Sequence, residues 1–152
     1  PFPKGKSYRI EQGYNGRATH TGHFALDFGM PQKSEIAAIR DGIVLDVVEE
    51  NSRGCPEEKC ANLSNFIIIE HTDGSQANYA HLKKNGALVH IGDKVKKGDI
   101  IGLSGATGQA SGPHLHLEVY TINWNGQKSI PARYDLNDFG IGIPQESQYY
   151  SH

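Results

Sequence analysis

Short apolar runs rich in β-branched residues, separated by glycine-containing turns, predict that strands dominate this chain. The run at 66–71 ends at Thr72-Asp73-Gly74, a strong hairpin signal, and predicts a returning strand over 76–82. No window of helical length carries an apolar face at positions i, i+3, i+4 and i+7, so helices should be few. We therefore predict a mainly antiparallel, all-β domain, with its clearest strands at 42–48, 66–71, 76–82, 95–102 and 114–120.

Length and composition narrow the class of protein without changing this prediction. The 152 residues correspond to one domain, 1–152, and the formal net charge of -2 gives no reason to expect nucleic-acid binding. No stretch approaches the roughly 18 consecutive apolar residues of a membrane span. Apolar density falls after Trp124, so the last dozen residues are predicted to form a loosely attached tail.

The chain has two cysteines, Cys55 and Cys60, on either side of a short polar turn. A disulfide, half of a metal site and two unreacted thiols are the alternatives. A zinc pair would need a second Cys or His pair nearby, and none is present, so we favour a disulfide that shapes a loop. Such a bridge implies an oxidising compartment. Because the chain opens at Pro1 without an initiating Met or an apolar signal core, we expect an extracytoplasmic protein whose export signal has been removed.

Two pairs of polar residues have spacings that suit a metal ion. His114 and His116 stand at i and i+2 of a predicted strand, so both side chains leave the same face; two exposed imidazoles are the alternative reading. His23 and Asp27, four residues apart, share a face whether that segment is extended or helical. Together His23, Asp27 and His116 would offer zinc two nitrogens and one oxygen, leaving the fourth position for water.

Two further histidines bear on this site. His81 follows an apolar strand and is available as a base that does not bind the metal. His20 lies three residues before His23 and is a rival ligand. The glycine-rich loop 105–113 precedes a strand rather than a helix, so we interpret it as shaping a cleft for an extended ligand and not as a phosphate loop.

Three motifs, in this order, resemble the lysostaphin-type (LytM-like) zinc metalloendopeptidases. They are His23-x-x-x-Asp27, Tyr79-x-His81-Leu82 and Ser111-Gly-Pro-His114-Leu-His116. The resemblance places the core at about 13–122 and leaves 123–152 as a C-terminal extension. Ala25 stands where the family often has Gly, and His20 and the Cys55–Cys60 insertion are additional departures.

The resemblance implies a two-sheet antiparallel β fold with an open groove and one zinc ion at its floor. His23, Asp27 and His116 would be the ligands, and His81 and His114 the catalytic imidazoles. The implied substrates are bacterial cell-wall peptidoglycan peptides, often cut at Gly, or Gly-rich proteins such as elastin. We expect a monomer that acts outside the cytoplasm.

Three other functions fit parts of the sequence. Some relatives of this family have lost ligands and regulate other wall hydrolases, so a catalytically idle domain that binds wall peptides is the main alternative. The segment 95–102 also resembles lipoyl- and biotinyl-carrier folds, which have no use for ordered His and Asp positions. Metal storage would not need His81 or an open cleft.

Overall fold

The structure is a computed structural model that describes residues 1–135 and 141–151. In the described residues the only helical segment is a 3₁₀ helix, Glu58–Leu63. Strands occupy Ser7–Gln12 (β1), Ala25–Gly29 (β2), Glu35–Ala37 (β3), Gly42–Val48 (β4), Gly54–Cys55 (β5), Phe66–Glu70 (β6), Gln76–Ala80 (β7), Leu82–Ala87 (β8), Lys94–Val95 (β9), Ile100–Ser104 (β10), Gly108–Gln109 (β11), His114–Asn123 (β12), Gly126–Ser129 (β13), Tyr134–Asp135 (β14), Ile141–Gly142 (β15) and Tyr149–Ser151 (β16).

Two antiparallel sheets account for most of these strands, which confirms the predicted all-β class. The larger has nine strands in the order β16-β1-β2-β12-β7-β6-β4-β9, with β13 added alongside β12. The smaller has the order β3-β10-β8. The predicted hairpin forms as β6 and β7, and the central strand β12 lies between β2 and β7. Strand β12 is therefore paired along both edges, which fixes the register of the polar residues it carries.

The hydrophobic core lies between the two sheets. On β12, Leu115 and Leu117 are fully buried, and the alternation of side chains along a strand turns His114 and His116 to the opposite face. The same core cluster includes Ile36, Leu82 and Ile101 from the smaller sheet. One face of β12 thus packs in the core, and the opposite face presents the two histidines.

The two ends of the chain differ from the sequence prediction. Strands β1 and β2 join the main sheet, although their short apolar segments gave no clear strand signal. The predicted loose attachment of the tail is wrong for its described part, because Tyr149–Ser151 pairs with β1 and Tyr150 belongs to the core. Burial of that tyrosine ring and an open sheet edge outweigh the low apolar density of the segment. No helix in 1–135 or 141–151 is long and apolar enough to cross a membrane.

Candidate metal centre

Three neighbouring strands of the main sheet place the polar site residues. His116 on β12 is the register partner of Asp27 on β2 and of Ala80 at the end of β7. His114, two residues earlier on β12, lies opposite Gly29. His81 directly follows β7. Antiparallel register alone therefore brings together four of the five predicted site residues, which come from three separate parts of the sequence.

Asp27 is the centre of the cluster. Its Oδ1 lies 3.0 Å from Nδ1 of His116 and 3.8 Å from Nε2 of His114. Its Oδ2 lies 3.3 Å from Nε2 of His20. One nitrogen from each of His20 and His116 and one oxygen of Asp27 all lie within 4.8 Å of one another, which is close enough for a single ion to contact all three.

The structure brings His20, rather than His23, to Asp27 and His116. The side chain of His23 is 57% exposed, and its Nδ1 lies 2.9 Å from Oε1 of Glu118. The expectation that His23 and Asp27 share a face assumed a regular segment, but β2 begins only at Ala25. A turn before it, closed by the backbone N–H of His23 on the carbonyl of His20, directs the earlier imidazole inward. This geometry does not support His23 as a ligand.

Backbone carbonyls hold three of the imidazoles by their Nδ1 atoms. Because a carbonyl oxygen can only accept, each Nδ1 carries a proton, and in the neutral ring Nε2 then presents a lone pair. In His20 that Nε2 is buried and has no hydrogen-bond partner among the described residues. A buried unpaired nitrogen is costly unless something binds it. The pairs are His20 with Gly13 (3.1 Å), His81 with Thr107 (2.7 Å) and His114 with Gly112 (2.9 Å).

His81 has an unusual backbone conformation that aims its ring at the site. Its φ is 64°, in the left-handed region that a non-glycine residue rarely adopts. The ring centroid lies 4.5 Å from that of His114 and 5.7 Å from that of His116. Burial, reinforced by the neighbouring imidazoles of His114 and His116, lowers the pKa of His81 to about 3. The ring is therefore neutral at ordinary pH. The left-handed backbone of His81 is a strained conformation of the kind that is typical of functional positions.

The carboxylate of Asp27 stays ionised despite its burial. Burial by itself raises the pKa of Asp27, but a hydrogen bond from His116 and the nearby imidazole of His20 outweigh burial and hold the pKa well below its usual range. A permanently negative oxygen beside two imidazole nitrogens is a donor set that suits a borderline-soft divalent cation such as zinc.

Glu118 is a site residue that the sequence analysis did not single out. Besides its contact with His23, its Oε2 lies 4.0 Å from Nε2 of His116. Burial raises its pKa, but contacts with His116, His23 and Ser129 lower it to about 2, so the group is a carboxylate. Such a carboxylate is the usual partner for the second ring nitrogen of a metal-binding histidine. Its position two residues after His116, on the same face of β12, was the available signal.

The cluster opens into a groove of about 920 Å³. The lining includes residues 15–19 from the loop before β2, Gln109 at the end of β11 and residues 110–112 from the loop before β12. A disulfide joins Cys55 to Cys60, which confirms that prediction. The loop that it closes adds Pro56 to the groove lining, and β5 pairs in parallel with β11. The site thus lies in a groove, which agrees with the cleft that the glycine-rich loop 105–113 is predicted to shape.

Comparison with known proteins finds clear relatives of this chain. Residues 21–131 match the profile described as Peptidase family M23. Peptidoglycan DD-endopeptidase ShyB of Vibrio cholerae is 36% identical over 129 residues, which cover 80% of this chain and 28% of that protein. The chain therefore spans less than a third of this curated relative.

Two solved structures are also similar. A zinc-containing peptidase from Vibrio cholerae has a TM-score of 0.61 and 30% sequence identity, covering 85% of this chain and 37% of the other. The antimicrobial peptidase lysostaphin from Staphylococcus simulans has a TM-score of 0.61 and 28% identity, covering 80% of this chain and 47% of the other. The lysostaphin-like fold expected from the motifs is confirmed.

Proposed function

The chain belongs to Peptidase family M23, and we propose that it is a zinc-dependent endopeptidase that hydrolyses peptide bonds in bacterial peptidoglycan. The observation that carries this proposal is the buried, unpartnered Nε2 of His20, which lies 3.3 Å from the ionised carboxylate of Asp27 at the floor of an open groove. A buried nitrogen lone pair, a carboxylate oxygen and a second imidazole converge there. The lone pair and the carboxylate are both acceptors and cannot bond each other, but both can bind a cation.

His20, Asp27 and His116 would hold one zinc ion. They supply two nitrogens and one oxygen, the three-ligand set that catalytic zinc sites use while keeping a further position for solvent or substrate. The zinc-containing peptidase of similar fold supports this choice of metal. The proposal replaces His23 by His20 in the ligand set that the sequence analysis predicted.

His81 and His114 would be the catalytic imidazoles. When bound, zinc supplies Lewis-acid polarisation of a carbonyl and makes water more acidic. Each of the two histidines presents an Nε2 lone pair beside the ligands, because its Nδ1 proton is donated to a backbone carbonyl. Either can accept a proton from the attacking water, and a protonated ring can donate a hydrogen bond to the developing oxyanion.

The substrate class follows from the groove and from the relatives. A groove of about 920 Å³ beside the cluster can admit an extended peptide, and the 36% identical relative ShyB is a peptidoglycan DD-endopeptidase. Wall peptides lie outside the cytoplasm, where the disulfide between Cys55 and Cys60 is also stable. Gly-rich proteins such as elastin are the second substrate class, which the motif resemblance implies.

Digestion of purified peptidoglycan tests the proposal. We expect the zinc-loaded protein to release peptide fragments whose masses identify the bond that is cut, a chelator to abolish the release and added zinc to restore it. Elastin digested in parallel separates the two substrate classes. Zinc binding without cleavage of either substrate would instead support the idle, peptide-binding alternative.

A further inference from the structure

We propose that Gln12, the last residue of β1, is a positioning residue for the metal centre. Its side-chain amide holds the carboxylate of Asp27 and, at the same time, ties down the loop that delivers His20. Nothing in the sequence motifs marks this glutamine. The inference rests on the proposed function, because it assigns Gln12 a role toward the zinc ligands.

The NH₂ group of Gln12 makes two hydrogen bonds toward the site. Its Nε2 donates to Oδ2 of Asp27 at 3.1 Å and to the hydroxyl of Thr19 at 2.7 Å. An amide nitrogen has two hydrogens, so both are used. The same Oδ2 faces Nε2 of His20. One donor therefore fixes the rotation of the Asp27 carboxylate and anchors the residue that immediately precedes His20.

The carbonyl oxygen of Gln12 completes the connection with that loop. Oε1 accepts hydrogen bonds from the backbone N–H groups of Ala18 at 3.0 Å and Thr19 at 3.1 Å. All the usual partners of the buried side chain are thus supplied by the Asp27 carboxylate and by the loop before His20. The loop itself has no regular secondary structure, so these bonds take the place of a strand or helix in locating the ligand.

A bulge in β1 is what turns Gln12 toward the site. Ile10 pairs with Phe28, and Gln12 pairs with Asp27, so Glu11 is an additional residue in the ladder. Without the bulge, side-chain alternation would place residue 11, and not Gln12, beside Asp27. Bulges commonly redirect a side chain next to a functional site. Here it allows Ile10 to fill the core while Gln12 reaches the opposite face.

Gly16 provides independent support for close packing of the loop on this side chain. A Cβ at position 16 would overlap Cγ of Gln12. The carbonyl of Gly16 in turn accepts the backbone N–H of His20 at 3.1 Å. A contact path therefore runs from Gln12 through Gly16 to the metal-binding residue, parallel to the path through Thr19.

The test compares Gln12→Met with Gln76→Met. Gln76 is a matched control because it has the same chemistry and a similar degree of burial, lies in the same sheet on β7 and donates to Glu70 at 3.3 Å. Zinc affinity is measured by competition with a chromophoric chelator, and thermal unfolding is measured on the zinc-free proteins. We expect Q12M to weaken zinc binding about 10–100-fold, as for residues that orient metal ligands. Q76M should lower the unfolding temperature without changing zinc affinity.

Gly16→Ala is a second variant that displaces the Gln12 side chain without removing it. It should weaken zinc binding in the same direction as Q12M, with Asp27 and His20 both still present. Zinc affinity in Q12M equal to that of the wild type and of Q76M would overturn the role of Gln12 while leaving the proposed function intact. Absence of zinc binding by the wild type would overturn both.

Discussion

Two histidines in different parts of the molecule have the same hydrogen-bonding pattern. His20 and His71 are 1% and 3% exposed. Nδ1 of His20 bonds the carbonyl of Gly13 at 3.1 Å, and Nδ1 of His71 bonds the carbonyl of Asp41 at 2.9 Å. In both, Nε2 is buried and has no hydrogen-bond partner in the part of the chain that the structure describes.

The two histidines differ in the groups that surround the buried Nε2 atom. Nε2 of His20 faces an ionised aspartate, and its ring centroid lies 5.1 Å from that of His116. His71 has the charges of Arg40 and Asp73 nearby, and burial is the main cause of its lowered pKa. A buried, unpaired imidazole nitrogen is therefore no sign of a metal site by itself. The sign is a carboxylate and a second imidazole converging on it.

The largest expected effect is the loss of zinc in a variant of His20, compared with variants of His71, which is equally buried, and of His23, which the motif favours as a ligand. His20→Ala should weaken zinc binding by more than the ~100-fold that marks the upper range for residues that only orient a ligand, and should abolish peptidase activity. His71→Gln and His23→Ala should bind zinc like the wild type, because neither nitrogen lies in the ligand cluster. Zinc content after dialysis and chelator competition measure all three.

His23→Ala is the more demanding member of this set. It removes the histidine that the sequence motif favours, and it leaves Glu118 without its 2.9 Å contact. A loss of zinc as large as that in His20→Ala would return His23 to the ligand set and would contradict the comparison between His20 and His71. Retention of zinc by His20→Ala would also contradict that comparison, because it would show that His20 is not a ligand.

The next largest effect concerns an imidazole that lies beside the proposed zinc ligands but is not one of them. His81→Gln should keep zinc affinity within a fewfold of the wild type and lower kcat by about 10²–10⁴, the usual contribution of a general acid or base. Glutamine at this position loses the ability to take up a proton. Single-turnover rates on a peptidoglycan fragment, read together with zinc content, decide the outcome. Loss of the metal would show that His81 is a ligand.

The disulfide loop changes the groove without changing the ligands. Replacing Cys55 and Cys60 by serine releases a short closed loop, so we expect about 2 kcal/mol less stability. Because this loop contributes Pro56 to the groove, KM should rise while zinc affinity stays constant. Urea unfolding, KM and zinc competition are measured on the same preparation. A fall in zinc affinity would mean that the loop supports the ligands as well.

The sequence predicts most of the sheet and the strand-borne part of the site. Strands β4 and β6 follow from short β-branched apolar runs, and β7 follows from the hairpin signal at 72–74. In β12, the i, i+2 spacing of His114 and His116 keeps both side chains on one face because a strand has a fixed period. The strands and this histidine pair are predictable because they depend on the local alternation of apolar and polar residues and on strand pairing, and both can be inferred from the sequence.

The loop-borne part of the site is not predictable in the same way. Spacing favours His23, but a turn at 20–23 reverses which imidazole points inward. Gln12 reaches Asp27 only because of a bulge, which has no clear sequence signal. Low apolar density after Trp124 predicts a loose tail, but the tail is held because Tyr150 is buried where its segment pairs with the distant strand β1. Tertiary contacts decide each of these cases.

The smallest expected effect tests His71 through the pH dependence of stability. Since burial lowers its pKa in the folded state, the unfolded chain takes up the proton first as pH falls below about 6.5. Stability should therefore be unaffected near pH 8 and should decline as the pH falls below about 6.5, by at most about 1.4 kcal/mol per pH unit. His71→Gln cannot take up that proton, so its urea-unfolding free energy, measured without zinc, should decline less over this range. Equal pH slopes for variant and wild type would show that the buried nitrogen is solvated or paired, and the similarity to His20 would then be only apparent.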